Sequence, residues 1–61
     1  MAKIIIPIAA GFEEIEAVSI IDICRRANVE VIVAGVESLH VTGANNISII
    51  TDILLNEVNS S

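Results

Sequence analysis

Aromatic residues are almost missing from this chain: Phe12 is the only one, and there is no tryptophan or tyrosine. That removes the stacking platforms on which single-stranded nucleic acids bind. Positive charge is equally scarce. Lys3, Arg25 and Arg26 stand against eight acidic residues, for a formal net charge of −5. With no cationic stripe to hold phosphates, the sequence argues against a nucleic-acid partner. The single cysteine, Cys24, excludes an internal disulfide and suits a reducing compartment. Long apolar runs are missing too. The uncharged stretch Leu39–Thr51 contains Thr, Gly, Asn and Ser and falls well short of the roughly 18 apolar residues of a spanning helix. No membrane partner is expected. The amino terminus carries one lysine before an isoleucine run, shows no small-residue cleavage site and is soon followed by acidic residues. It reads as a mature cytoplasmic strand rather than a signal peptide. There is no internal repeat, low-complexity tract or interdomain linker.

What the chain does have is apolar surface. Hydrophobic residues make up 54% of its 61 positions, and its mean hydropathy is +0.81. A domain this short buries only about 60% of the surface that its unfolded chain exposes. So much apolar surface in so short a chain calls for more protein to cover it. Either copies of the chain assemble with one another, or it is the first part of a longer domain whose carboxy-terminal part is expected as a separate chain.

Lys3–Ala9 is a continuous apolar run closed by Gly11, as in strands buried under helices on both faces. Pro7 inside it argues against a central position there, or for a local irregularity. Val29–Val36 is a second strand, rich in β-branched residues. Between them the sequence predicts a helix from about Glu13 to Ala27. Strand, helix and strand form a βαβ unit with a right-handed crossover. At about 100° per residue, Ala17, Ile20, Ile21, Cys24 and Ala27 share the stripe expected to face the sheet, while Ile15, Ser19, Asp22 and Arg26 lie opposite. Asp22 and Arg26 have the i,i+4 spacing of a favourable ion pair. Acids in the first turn and arginines in the last complement the helix dipole, and Asn28 suits a left-handed C-cap. Further on, Leu39–Thr42 and Ile47–Ile50 flank Gly43-Ala44-Asn45-Asn46, a hairpin pattern. Thr51–Val58 is then a tail able to follow the sheet edge. One helix covers one sheet face, so the other face is expected to lack cover within this chain.

The chemistry concentrates in Gly11-Phe12-Glu13-Glu14-Ile15-Glu16, where the first strand turns into the helix. Ligands of open α/β sheets bind at the carboxyl ends of the strands, so three carboxylates in four residues there mark a candidate site. An ordinary role is open to each of them: a first-turn glutamate satisfies the helix dipole. Of Glu13 and Glu14, one is expected to cap the helix or pair with a base. Gly11 suits a turn with positive φ beside the site. Cys24 falls on the core stripe, about 12 Å along the helix axis from Glu16, and reads as a small buried hydrophobe rather than a nucleophile. His40 has no Cys, Asp or second His at ligand spacing and reads as a surface histidine, with no metal site.

The stretches G-F-E-E-I-E at 11–16, D-I-C-R-R-A at 22–27 and V-A-G at 33–35 resemble the amino-terminal part of the ThiJ/PfpI superfamily, and within it the parkinsonism-associated deglycase branch. The likeness runs over essentially the whole chain. It implies a flavodoxin-like parallel-sheet α/β sandwich, of which these residues are the amino-terminal βαβ portion plus a hairpin, and a homodimer. It further implies a nucleophilic cysteine on a strand-to-helix elbow, a nearby histidine, and a glutamate hydrogen-bonded to the cysteine. The glutamate falls on Glu16; the nucleophile and the histidine belong to the part of the family's chain beyond residue 61. Gly11 and Glu13 are then expected to line the substrate site, and Ile15, Asp22 and Arg26 the dimer interface. Asn45 and Asn46 stand where some relatives place a basic residue, so no anion pocket carries over there.

The resemblance implies cofactor-independent chemistry on small reactive aldehydes or glycated amines, of the glyoxalase or deglycase type. The alternative is a redox-sensing, chaperone-like stress protein with an oxidisable cysteine. A third reading is a mere folding or oligomerisation unit.

Overall fold

A computed structural model describes residues 2–58. Strand β1 (Lys3–Ile8) leads into helix α1 (Glu14–Arg26) and then strand β2 (Glu30–Gly35), which pairs parallel to β1 with Ile4 beside Val31 and Ile6 beside Val33. This is the expected βαβ unit. Strands β3 (His40–Thr42) and β4 (Ser48–Ile50) form a separate antiparallel hairpin. The tail returns to the first sheet as β5 (Ile53–Leu54), parallel to β2, and ends in a 3-10 turn at Leu55–Glu57. The larger sheet thus runs β1-β2-β5.

The parallel register sorts the side chains. Ile4, Ile6, Ile8, Val31 and Val33 share the face under α1, and Ile8, Val31, Val33 and Val41 form the buried core, with Ala17, Ile21 and Cys24 of the helix packed against it. The opposite face carries Lys3, Ile5, Pro7, Glu30 and Ile32, and Ile5 is 40% exposed there. The molecule is accordingly a slab about 12 Å through its shortest axis, one helix layer on one sheet layer.

Two corrections concern the helix. Its core stripe is narrower than expected: Ile20 is 51% exposed and Ala27 is exposed, serving as the C-cap residue. Both lie at the margin of the stripe, and a single narrow sheet does not reach them. Asn28 adopts φ 64°, as its C-terminal position predicts. Asp22 accepts from Arg26 Nε at 3.1 Å in the expected exposed pair.

Pro7 needs no irregularity. The carbonyls of Ala2 and Ile8 accept from Glu30 of β2 and from Val36 just past its end, so alternation turns Pro7 toward the outer edge of β1, where a missing N–H costs no bond to β2. The tail does follow the sheet edge, by a device with no local sequence signal. Asp52 donates its N–H to the Val33 carbonyl at 2.8 Å and accepts the Val33 N–H on its carboxylate at 2.9 Å, imitating a strand residue. Arg25 reaches the same carboxylate at 3.5 Å and the Val31 carbonyl at 3.2 Å. It ties helix, sheet and tail together, beyond its expected role at the helix dipole.

Candidate functional site

The site begins with the turn after β1. Gly11 takes φ 86°, a conformation that glycine enters without the steric penalty of a Cβ. Its N–H donates to the Thr42 carbonyl at 2.9 Å, and the carbonyl of the next residue, Phe12, accepts from Ala44 N–H at 2.8 Å. The first loop is therefore laced by main chain to the tip of the β3–β4 hairpin. Phe12 packs against the core.

Glu13 occupies the N-cap position (φ −81°, ψ 110°) and is exposed, and its side chain makes no capping hydrogen bond. Glu14 does not cap or pair with a base either, contrary to the expectation that one of the two would. It is 6% exposed and turned into the hairpin tip. Its Oε2 accepts the N–H of Asn45 at 2.7 Å and of Ile47 at 3.2 Å, while Oε1 accepts from Asn45 Nδ2 at 2.9 Å. Gly43 must be glycine beside it, because a Cβ there would overlap the Glu14 carboxylate. Strand β4 begins at Ser48, one residue later than the expected Ile47, whose N–H is given to Glu14. A signal for this was available. Glu14 shares the helical phase of Ala17, Ile21 and Cys24, and a carboxylate on a core stripe must find donors.

Burial pushes the Glu14 carboxyl up, but the hydrogen bonds from the Asn45 side chain and from backbone N–H groups, its own and those of Asn45 and Ile47, outweigh it. Its pKa lies below the ordinary glutamate value. A folded-state pKa below the unfolded one gives stability that is present above the unfolded value and lost as pH falls through the folded one. The denaturation midpoints of the full-length protein and its Glu14→Gln variant should thus differ at neutral pH and draw together as the pH falls below the ordinary glutamate range and through the lowered Glu14 value.

Ile15 and Glu16 point elsewhere. Both are exposed, Ile15 by 78%, and with Ser19 and Ile20 they line an open hollow of about 340 Å³ on the outer side of α1. A second hollow of about 210 Å³ lies at the carboxyl end of β1, lined by Ile8, Ala10, Glu37, Ser38, His40, Val41 and Thr42. Glu16 does not line it. The structure thus separates the acidic turn into an inward carboxylate, Glu14, and an outward one, Glu16, with Glu13 exposed between loop and helix. Asp22 and Arg26 lie further along the outer face of α1. Cys24 is half-buried against the core and His40 is exposed on β3. Among the described residues no cluster of His, Cys, Asp or Glu has metal-binding geometry, and no helix is long and apolar enough to cross a membrane.

A parallel βαβ unit whose acidic turn opens onto the first helix defines an α/β protein of flavodoxin-like type. The chain belongs to the DJ-1/PfpI family, whose model matches residues 2–61. Among curated relatives it is 45% identical to protein DJ-1 homolog B of Arabidopsis thaliana over 56 residues, covering 90% of this chain and 13% of that protein. It is 44% identical over 57 residues to protein DJ-1 homolog A of the same plant, covering 92% and 14%. Oxidized DJ-1 of Toxoplasma gondii superposes with a TM-score of 0.88 at 41% identity, over 95% of this chain and 34% of that one. A cysteine-to-alanine mutant of a DJ-1 superfamily protein from Salmonella typhimurium also superposes at 0.88, with 36% identity over 93% and 31%. The chain therefore spans about a seventh of the length of these curated relatives and about a third of these solved structures.

Proposed function

We propose that this chain supplies the glutamate of a cofactor-independent, cysteine-dependent enzyme acting on small reactive aldehydes or glycated amines in a reducing, cytoplasmic setting. The observation that carries the reading is Glu16, whose carboxyl stands at the start of α1 beside an open hollow walled by Ile15 and Ile20. An element bearing a cysteine that fills this hollow takes water away from the carboxyl. Desolvation favours its protonated form, which then donates a hydrogen bond to the thiolate, the reactive form of cysteine. The nucleophile comes from a carboxy-terminal part of the domain, carried on a separate chain or further along the same one. Gly11 and Glu13 border the substrate side of the turn.

On a 2-oxoaldehyde, the thiolate adds to the aldehyde carbon, forming a C–S bond, and the resulting alkoxide takes up a proton. The former aldehyde C–H proton passes through an enediol to the neighbouring carbon, which leaves a thioester of the 2-hydroxy acid. Water cleaves the C–S bond, releasing the acid and the thiol. Oxidation state balances within the substrate, so no redox cofactor is required. Glu16 is suited to the proton transfers.

The test is turnover of methylglyoxal by the full-length protein, followed as 2-hydroxy acid formed. Wild type should turn over without added cofactor, and Glu16→Gln should lose on the order of 10²–10⁴ in rate. A wild type that is inert toward methylglyoxal yet protects a client protein only after peroxide treatment would reverse the choice in favour of the redox-sensing chaperone.

A further inference from the structure

Helix α1 begins without a cap of its own. Glu13 at the N-cap makes no side-chain hydrogen bond, and uncapped first turns leave N–H groups unsatisfied and fray. Glu16 sits in that first turn. The fixing it needs comes from outside the helix. The Glu14 carboxylate, 31 residues from Asn45 in sequence, collects three donors from the hairpin tip at 2.7–3.2 Å. The bonds from Gly11 to Thr42 and from Ala44 to Phe12 hold the preceding loop against the same tip. Asn46 at φ 66° and the bond from Asn46 N–H to the Gly43 carbonyl keep the tip in the conformation that aims the amides of Asn45 and Ile47 at one oxygen. A buried carboxylate is a poor choice if packing alone is wanted there, since it must recover all the hydration that it gives up. It is a good choice for fixing direction, because charge-assisted hydrogen bonds are short and oriented.

We propose that Glu14 is a positioning residue for Glu16: through Asn45 and Ile47 it anchors the first turn of α1, so that the Glu16 carboxyl meets the nucleophile in one geometry. This rests on the functional reading of Glu16 given above, and its test is built so that the two can fail separately.

The pairing at Oε1 permits a swap. In Asn45→Asp two carboxylates face each other, and in Glu14→Ala the acceptor is gone. In the double variant Glu14→Gln with Asn45→Asp, the new amide donates to the new carboxylate and its oxygen keeps the two backbone N–H bonds. Two readouts are made on the full-length protein. One is amide hydrogen exchange at Ala17, whose N–H closes the first helical bond on the Glu13 carbonyl at 3.0 Å. The other is methylglyoxal kinetics, normalised to folded protein. Each single variant should speed exchange at Ala17 and lower kcat on the order of 10- to 100-fold with KM little changed, and the double variant should recover both. Unchanged exchange at Ala17 in the singles would overturn the anchor. Faster exchange with unchanged kcat would reduce Glu14 to a structural clasp and overturn the positioning role. If wild type shows no turnover, the functional reading fails by itself, and exchange in the singles and the double still decides whether Glu14 orders the first turn.

Discussion

Glu16→Leu, made in the full-length protein, should move the titration of its nucleophilic thiol up toward the ~8.5 of a free cysteine and abolish turnover. Glu16→Gln should leave the titration near that of wild type while turnover still falls. The two substitutions separate two tasks of one carboxyl. In the proposed mechanism the protonated carboxyl donates a hydrogen bond to the thiolate and keeps that thiolate populated, and it also exchanges a proton with the substrate. Glutamine can do the first and not the second, and leucine can do neither. An ionised Glu16 would instead repel the thiolate and raise the thiol's pKa, so leucine would then lower it. The side chain lies in a hollow with apolar walls on one side and open space on the other, and its desolvation rests on what fills that space. The ultraviolet absorbance of the thiolate, followed against pH in the three proteins, reads out each case. Three superimposable titrations would leave Glu16 as an ordinary first-turn residue.

We propose that the outer face of α1 forms a homodimer seam, which Ile15→Glu should dissociate. Ile15 stands on the outer face of α1 with the Asp22–Arg26 pair about two to three turns away, and Val18 and Ile23 add exposed apolar surface beside it. So many large apolar side chains on one exposed helix face mark an interaction surface. We assign it to a second copy, with Ile15 close to the twofold axis. Burying an isoleucine is worth roughly 1.5–3 kcal/mol, and an isologous interface counts the residue twice. Replacing it by a charge that meets its own mate should raise the dimer Kd by about 10²–10⁴-fold. Sedimentation equilibrium of the full-length protein checks this, and an unchanged Kd would move the interface off α1.

The architecture was largely legible because its determinants are local. A continuous apolar run marked β1, a β-branched-rich run marked β2, the apolar stripe at helical spacing marked α1, and Gly43 to Asn46 marked the hairpin. Gly11 and Asn28 took the positive φ that their positions called for. What escaped the reading is long-range. Glu14 and Asn45 meet across 31 residues, and Asp52 and Val33 across 19. In both cases a carboxylate binds backbone amides, which carry no side-chain signature in a sequence. Ile20 was misplaced for a related reason. Helical phase tells which residues share a stripe, but the width of the buried part depends on how much sheet lies beneath it.

The outer edge of β1 has a consequence for how such a protein reaches its folded state. Among the described residues β1 bonds only to β2, so its other row of main-chain groups is open along an isoleucine-rich strand. Pro7 deletes one donor near the end and Lys3 places a charge at the start, but Ile5 between them carries no such guard. Open, flat, apolar edges are templates for whichever strand arrives first. Any further strand that pairs there therefore competes with cross-chain aggregation, and the outcome turns on the speed of its arrival rather than on the stability of the finished sheet.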